Sequence, residues 1–170
     1  MASALLRPDR WPYLILALAA ALLIAVHAFE TFGGYPPCEL CLHQREAWWT
    51  AGGVAVAGLI AIRLRPSLAW VVCAALALVC AVSTGLAAYH AGVEWKWWPG
   101  PTTCTGRLSG AITGKDVADL LSGAKKVHMV RCDQAAVRWF GISMAGWNAV
   151  TSLAATVGSA LVAARGRSVA

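Results

Sequence analysis

The sequence predicts an all-α protein. The expected form is an integral membrane four-helix bundle with two loops on the outer side, the second carrying a short amphipathic surface helix. Three observations predict it. Of 170 residues, 59% are hydrophobic and only 13% are charged, with a mean hydropathy of +0.62. Soluble domains average about 25% charged residues, and one this small could not hide so much apolar surface. Second, the apolar residues fall into four runs, each near the roughly 17–25 residues that a membrane-spanning helix needs. Third, arginines cluster at alternate ends of those runs, which is the pattern of a chain threaded back and forth.

The elements follow in order within one domain, residues 1–170. The first span covers about 11–32, after Arg7 and Arg10. It exceeds the roughly 7–15 apolar residues of a cleaved signal, so it reads as a retained anchor. The second span covers about 45–62 and is short, but Leu42 to Glu46 can extend its helix into the interface. The third covers about 67–89 and the fourth about 140–164. Arg63-Leu64-Arg65-Pro66 joins spans two and three. The outer loops are about 33–44 and 91–138. Within the second, "GKDVADLLSGAKKVHMV" sets Val117, Leu120, Leu121 and Ala124 at helical spacing with Lys and Asp opposite. It is too short and charged to span, and reads as a helix lying on the outer surface. "EWKWWPGPTTC" before it is aromatic and proline-rich, an extended interfacial segment.

Charge sets the orientation. The N-terminus, the short connection and the C-terminal tail carry two arginines each and together one acid, Asp9. Lys/Arg excess marks the cytoplasmic side, so both termini are expected there. The long loop also holds seven Lys/Arg against four acids, and the assignment rests on density rather than count. The net charge of +6 then reflects topology and contact with the membrane surface. Basic residues scattered over both sides give no nucleic-acid partner.

Six cysteines divide by place. Cys73 and Cys80 sit seven apart in span three among Ala, Leu and Val, where cysteine acts as a small apolar filler. Cys38 and Cys41 lie in the first outer loop, Cys104 and Cys132 in the second. In bacteria that side is oxidising. Four loop cysteines suit redox exchange, a zinc site or a structural pair of disulfides. Zinc knuckles favour two C-x-x-C pairs, and only the first pair has that spacing. A C-x-x-C disulfide closes too small a loop to stabilise much through chain entropy, and the spacing is typical of reactive dithiols.

The stretch "PPCELCLHQREAWW" shows how such a dithiol is built. Gly33 and Gly34 end the first helix, Pro36 and Pro37 stop it resuming, and the second helix starts near Cys38 to Cys41. A thiol at a helix N-terminus feels the positive end of the dipole, which favours thiolate. Arg45 is four residues past Cys41, on the same face, and adds its charge. Trp48 and Trp49 continue that face, as interfacial aromatics or as the wall of a pocket for a flat ring. His27 and Glu30, then His90 with Tyr89, then Ser143, Trp147 and Asn148 put polar groups at one level near the outer ends of the other spans. Polar groups inside spans tend to face a partner or a site, so a shared pocket under the first loop is expected.

"PCELCLHQR", "TTC" and "RCDQAAVRWFGISMAGWN" on four spans resemble the DsbB family of bacterial disulfide-forming membrane proteins. The resemblance covers nearly the whole chain. Vitamin-K-epoxide-reductase-like proteins also combine four helices, a C-x-x-C and a quinone, but there the C-x-x-C follows the loop pair, whereas here it comes first. The resemblance implies a multi-pass protein of the bacterial inner membrane that oxidises a soluble periplasmic DsbA-like thioredoxin-fold partner. It implies a quinone, ubiquinone or menaquinone, from the membrane pool as electron acceptor. It pairs Cys38 with Cys41 and Cys104 with Cys132 as catalytic cysteines, and matches Cys41, Arg45 and His90 to the quinone side. No metal is implied. Cys73, Cys80 and His43-Gln44 depart from the family's pattern.

Overall fold

The computed structural model describes residues 6–35, 37–101, 131–135 and 137–168. Four long helices carry the fold: α1 (Trp11–Gly33), α2 (Glu39–Leu64), α3 (Ala69–Glu94) and α4 (Met144–Arg167). A short 3-10 turn, Pro66–Leu68, joins α2 to α3. Two short strands, β1 (Arg138–Trp139) and β2 (Ile142–Ser143), pair antiparallel just before α4. All four helices, α3 with its leading turn, are long and apolar enough to cross a membrane. The amphipathic surface helix expected within 114–130 lies outside the described residues.

Each boundary has a local cause. Pro12 sits in the first turn of α1, where its missing N–H costs nothing. Gly34 ends the helix in the left-handed region, φ 67°, which glycine adopts without a Cβ penalty. Arg65 and Pro66 close α2. Ser143 caps α4, its hydroxyl accepting from Gly146 N–H at 3.1 Å. The sequence places the fourth span from about 140. The helix begins at Met144, because residues 138–143 turn back on themselves as a hairpin with Phe140 and Gly141 at positive φ. α3 runs five residues beyond Tyr89, with Ala91 to Glu94 all buried.

The core is made of small and branched residues. Ile15, Ala19 and Leu23 of α1 pack with Trp48, Ala51, Ala55 and Ile62 of α2, Val72, Leu76 and Cys80 of α3, and Ala155 of α4. Gly58 lets α2 approach α3 so closely that an added Cβ would lie 2.3 Å from Val72 Cγ1. Cys73 and Cys80 are fully buried thiols, packing as the fillers their surroundings suggest. Hydroxyl pairs knit α3 to α4: Ser83 with Ser152 at 2.9 Å and Thr84 with Thr156 at 3.2 Å. Ile24, Ile60, Leu78 and Leu161 point outward, and lipid is the solvent that accepts such a surface.

Candidate functional site: a buried dithiol beside an apolar cavity

The site is assembled at the start of α2. Cys38 is the N-cap, and its sulfur accepts the Cys41 backbone N–H at 3.2 Å. The extended backbone of the cap turns both sulfurs the same way, and Cys38 Sγ lies 2.6 Å from Cys41 Sγ. Hydrogen bonding to Cys41, and then burial, push the Cys38 thiol well above its ordinary range.

α3 brings a second set of groups against the pair. His90 Nε2 is 3.7 Å from Cys38 Sγ, and His90 Nδ1 is 2.7 Å from the Gln44 side-chain nitrogen. One turn on, Glu94 Oε1 lies 3.8 Å from His90 Nε2. Glu94 Oε2 is buried without a hydrogen-bond partner. A carboxyl in that position is costly unless it serves the site.

Cys132 arrives from the far end of the second loop. It is disulfide-bonded and packs in one apolar cluster with Cys38, Leu40 and Val93, with Cys41 against them. Lys96 ties that segment down: its Nζ donates to Asp133 Oδ2 at 2.7 Å and to the Asp133 carbonyl at 3.0 Å. The Lys96 hydrogen bond holds the Asp133 carboxyl below its ordinary range. Cys104 lies outside the described residues.

A cavity of about 530 Å³ opens beside the pair. Cys38, Cys41, Gln44, Arg45, His90 and Glu94 form its polar side; Leu22, Val26, Phe29, Trp48, Trp139 and Met144 contribute to its apolar walls. Of the polar groups expected at one level, His90, Trp147 and Asn148 line the cavity and Glu30 holds the lining residue Arg45, whereas His27, Tyr89 and Ser143 are not in its wall. Arg45 departs from expectation in its partner. Its Nη1 donates to Glu30 Oε2 at 2.5 Å, so the neighbouring helix, rather than Cys41 alone, fixes the guanidinium. Trp49, in contrast to Trp48, is 61% exposed and belongs to the outer face. Cys38, Cys41 and His90 place three possible metal ligands within 4.8 Å of one another.

Sequence reading missed Glu94 and gave Gln44 no role. The signal was present: His90 and Glu94 are four residues apart, hence on one helical face, just where apolar α3 turns polar.

A dithiol capping one membrane helix, facing an apolar cavity and sharing an apolar cluster with a third cysteine from a distant loop, defines a membrane-embedded thiol–disulfide protein. Comparison with known families gives the same class. The family model described as disulfide bond formation protein DsbB matches residues 8–162. The chain belongs to the DsbB family, a family of membrane oxidoreductases that form disulfide bonds. No curated protein matches the chain.

Proposed function

We propose that the protein is a quinone-dependent thiol oxidase that reoxidises a soluble DsbA-like thioredoxin-fold protein in the bacterial periplasm. It sits in the inner membrane with both termini in the cytoplasm. The observation that carries this reading is the burial of Cys132 and Cys38, 1% and 2% exposed, in one apolar cluster. Disulfide exchange needs one sulfur to attack another directly, and these two residues from separate loops already share a cluster.

The two pairs act in series. A partner thiolate attacks the Cys104–Cys132 disulfide at Cys104 and frees Cys132. Cys132 attacks Cys38 of the oxidised first pair, and Cys41 leaves as thiolate into the cavity. The second partner thiol then closes the partner's own disulfide and frees Cys104, and the Cys104–Cys132 and Cys38–Cys41 bonds are restored in turn. A bound quinone supplies the two-electron acceptor that makes the cycle oxidative. The residues present fit it: ligand cavities run about 300–1,000 Å³ with apolar walls and few polar groups, and this one is about 530 Å³. Trp48 and Phe29 can flank a flat ring, Arg45 can donate to its oxygens, and Cys41 and His90 line the same space.

The test is turnover of the purified protein with a reduced thioredoxin-fold dithiol protein and either quinone. Quinone reduction matched one to one by protein disulfide is expected. Oxidation of the dithiol protein with no change in quinone would overturn the reading.

A further inference from the structure

Which nitrogen of His90 carries a proton decides what the ring can do for Cys38. A bare Nε2 is a base, whereas an Nε2–H is a donor. The neighbours settle the choice. Trp48 Nε1 is a donor only, and it lies 2.8 Å from the Asn148 side chain. The atom facing it must be Asn148 Oδ1, which Ser152 Oγ also approaches at 3.4 Å. Asn148 Nδ2 is thereby turned to Gln44, 2.5 Å away, where only Oε1 can accept. Gln44 then presents its Nε2 hydrogens to His90 Nδ1 at 2.7 Å. Nδ1 has to accept, so it is bare, and the neutral ring carries its hydrogen on Nε2. Reversing any link sets two donors face to face, back to an indole that cannot accept.

We propose that Trp48, Asn148 and Gln44 form a one-way hydrogen-bond chain that locks His90 as the neutral Nε2–H tautomer, making His90 a donor to the Cys38 sulfur and not its base. Trp48, Asn148 and Gln44 are positioning residues, and His90, which touches the sulfur, is the catalytic one. The other group facing its Nε2 fits a donor: Glu94 Oε1, at 3.8 Å, is an acceptor.

The role of this donor rests on the function proposed above. Closing the first pair converts two thiols into one S–S bond and releases two protons and two electrons, which reduce quinone to quinol. Cys38 must shed its proton on the way, in a site where burial and the bond to Cys41 oppose it. An N–H aimed at the sulfur steadies the charge that develops there.

The tautomer is read by nuclear magnetic resonance on the full-length reduced protein in nanodiscs, with isotope-labelled histidine. His90 is picked out among four histidines by its loss in His90→Gln. Carbon and nitrogen shifts of the Nε2–H form are expected at neutral pH; those of the Nδ1–H form or of the cation overturn the proposal. Gln44→Glu replaces the donor with an acceptor and should move His90 to Nδ1–H, and an unchanged tautomer means the chain does not set it. Trp48→Phe removes the anchor and should yield a mixture, with a single unchanged form again counting against the chain. Closure rate with a small disulfide as oxidant tests the role. His90→Gln keeps an N–H near the Nε2 position and should retain more of the closure rate than a variant with no donor there. His90→Leu should be slower by roughly tenfold to a hundredfold, the size of a lost hydrogen bond to a charged group. Equal losses in both overturn the donor role. None of these readouts uses quinone, so a wild type that fails to reduce quinone defeats the proposed function alone.

Discussion

Replacing Glu30 by Gln tests how Arg45 is held. The pair joins α1 to α2, with Arg45 Nη1 2.5 Å from Glu30 Oε2, and the side chains are 14% and 32% exposed. Fully exposed pairs contribute about 0–1 kcal/mol, whereas removing one member of a buried pair costs about 3–5 kcal/mol because the other charge is stranded. This pair lies between those limits, so Glu30→Gln should destabilise by about 1–3 kcal/mol. For a chain of this size each kcal/mol moves the midpoint by roughly 2–4 °C, giving a fall of about 2–12 °C in thermal unfolding followed in detergent. Arg45→Met should also destabilise, since it strands the acid. The double variant strands nothing, so its loss should be smaller than the sum of the single losses by about 1 kcal/mol or more. Strictly additive losses would refute the argument that the two charges hold each other. The same series bears on the cavity. Arg45→Met removes a cation and forked donor from its wall, so apparent quinone KM should rise. Glu30→Gln keeps that donor and frees its charge, so KM should rise far less.

Four further outcomes are expected. Differential alkylation with mass spectrometry should find Cys73 and Cys80 reactive only after unfolding, and replacing both by Ala should leave turnover largely intact. Cys104→Ser should abolish exchange with the soluble dithiol protein while small dithiols still reduce the Cys38–Cys41 pair, as followed by quinol formation. Gly58→Ala drives a methyl to 2.3 Å from Val72 Cγ1; overpacking of this kind costs about 1–3 kcal/mol, and Gly58→Ala combined with Val72→Ala should recover part of the lost thermal stability. The Asp133 carboxyl is depressed by Lys96, so its contribution is present above the ordinary carboxylate range and lost as pH falls through the lower folded value. Exchange at Cys132 should therefore lose its dependence on Asp133 in acid, which a rate comparison with Asp133→Asn across pH measures; high salt should weaken the effect as well.

Much of the site was legible because it depends on local chemistry. Pro37 and the C-x-x-C spacing fix where α2 starts, and that start places both sulfurs at its N-terminus. The four apolar runs needed only their length and composition. What escaped depends on which helix faces which. Nothing in the sequence links Arg45 to Glu30, fifteen residues earlier across a helix turn-back, or Gln44 to Asn148, 104 residues later. Asn148 and Trp48 stood out singly as polar or aromatic groups near the outer boundary, but their order in a chain of donors and acceptors appears only once the bundle is packed. The start of α4 shifted because Phe140 and Ile142 are apolar enough to extend the run, while the positive φ at Phe140 and Gly141 turns the backbone into a hairpin that composition does not reveal.

The Cys38 sulfur does two jobs at once. It is the helix cap, taking the Cys41 N–H at 3.2 Å, and in the relay proposed above it is also the atom that changes bonding partners. Drawing that sulfur toward Cys132 uncaps the first turn of α2 and leaves a backbone N–H unanswered, a loss of roughly 0.5–1 kcal/mol at the weak end of helix caps. The helix end thus behaves as a light spring loaded by the exchange itself. It is stretched whenever Cys38 is held by the other loop and relaxes when Cys38 returns to Cys41. In the proposed relay the recoil would favour release of the second loop and so bias the direction in which the sulfurs trade partners.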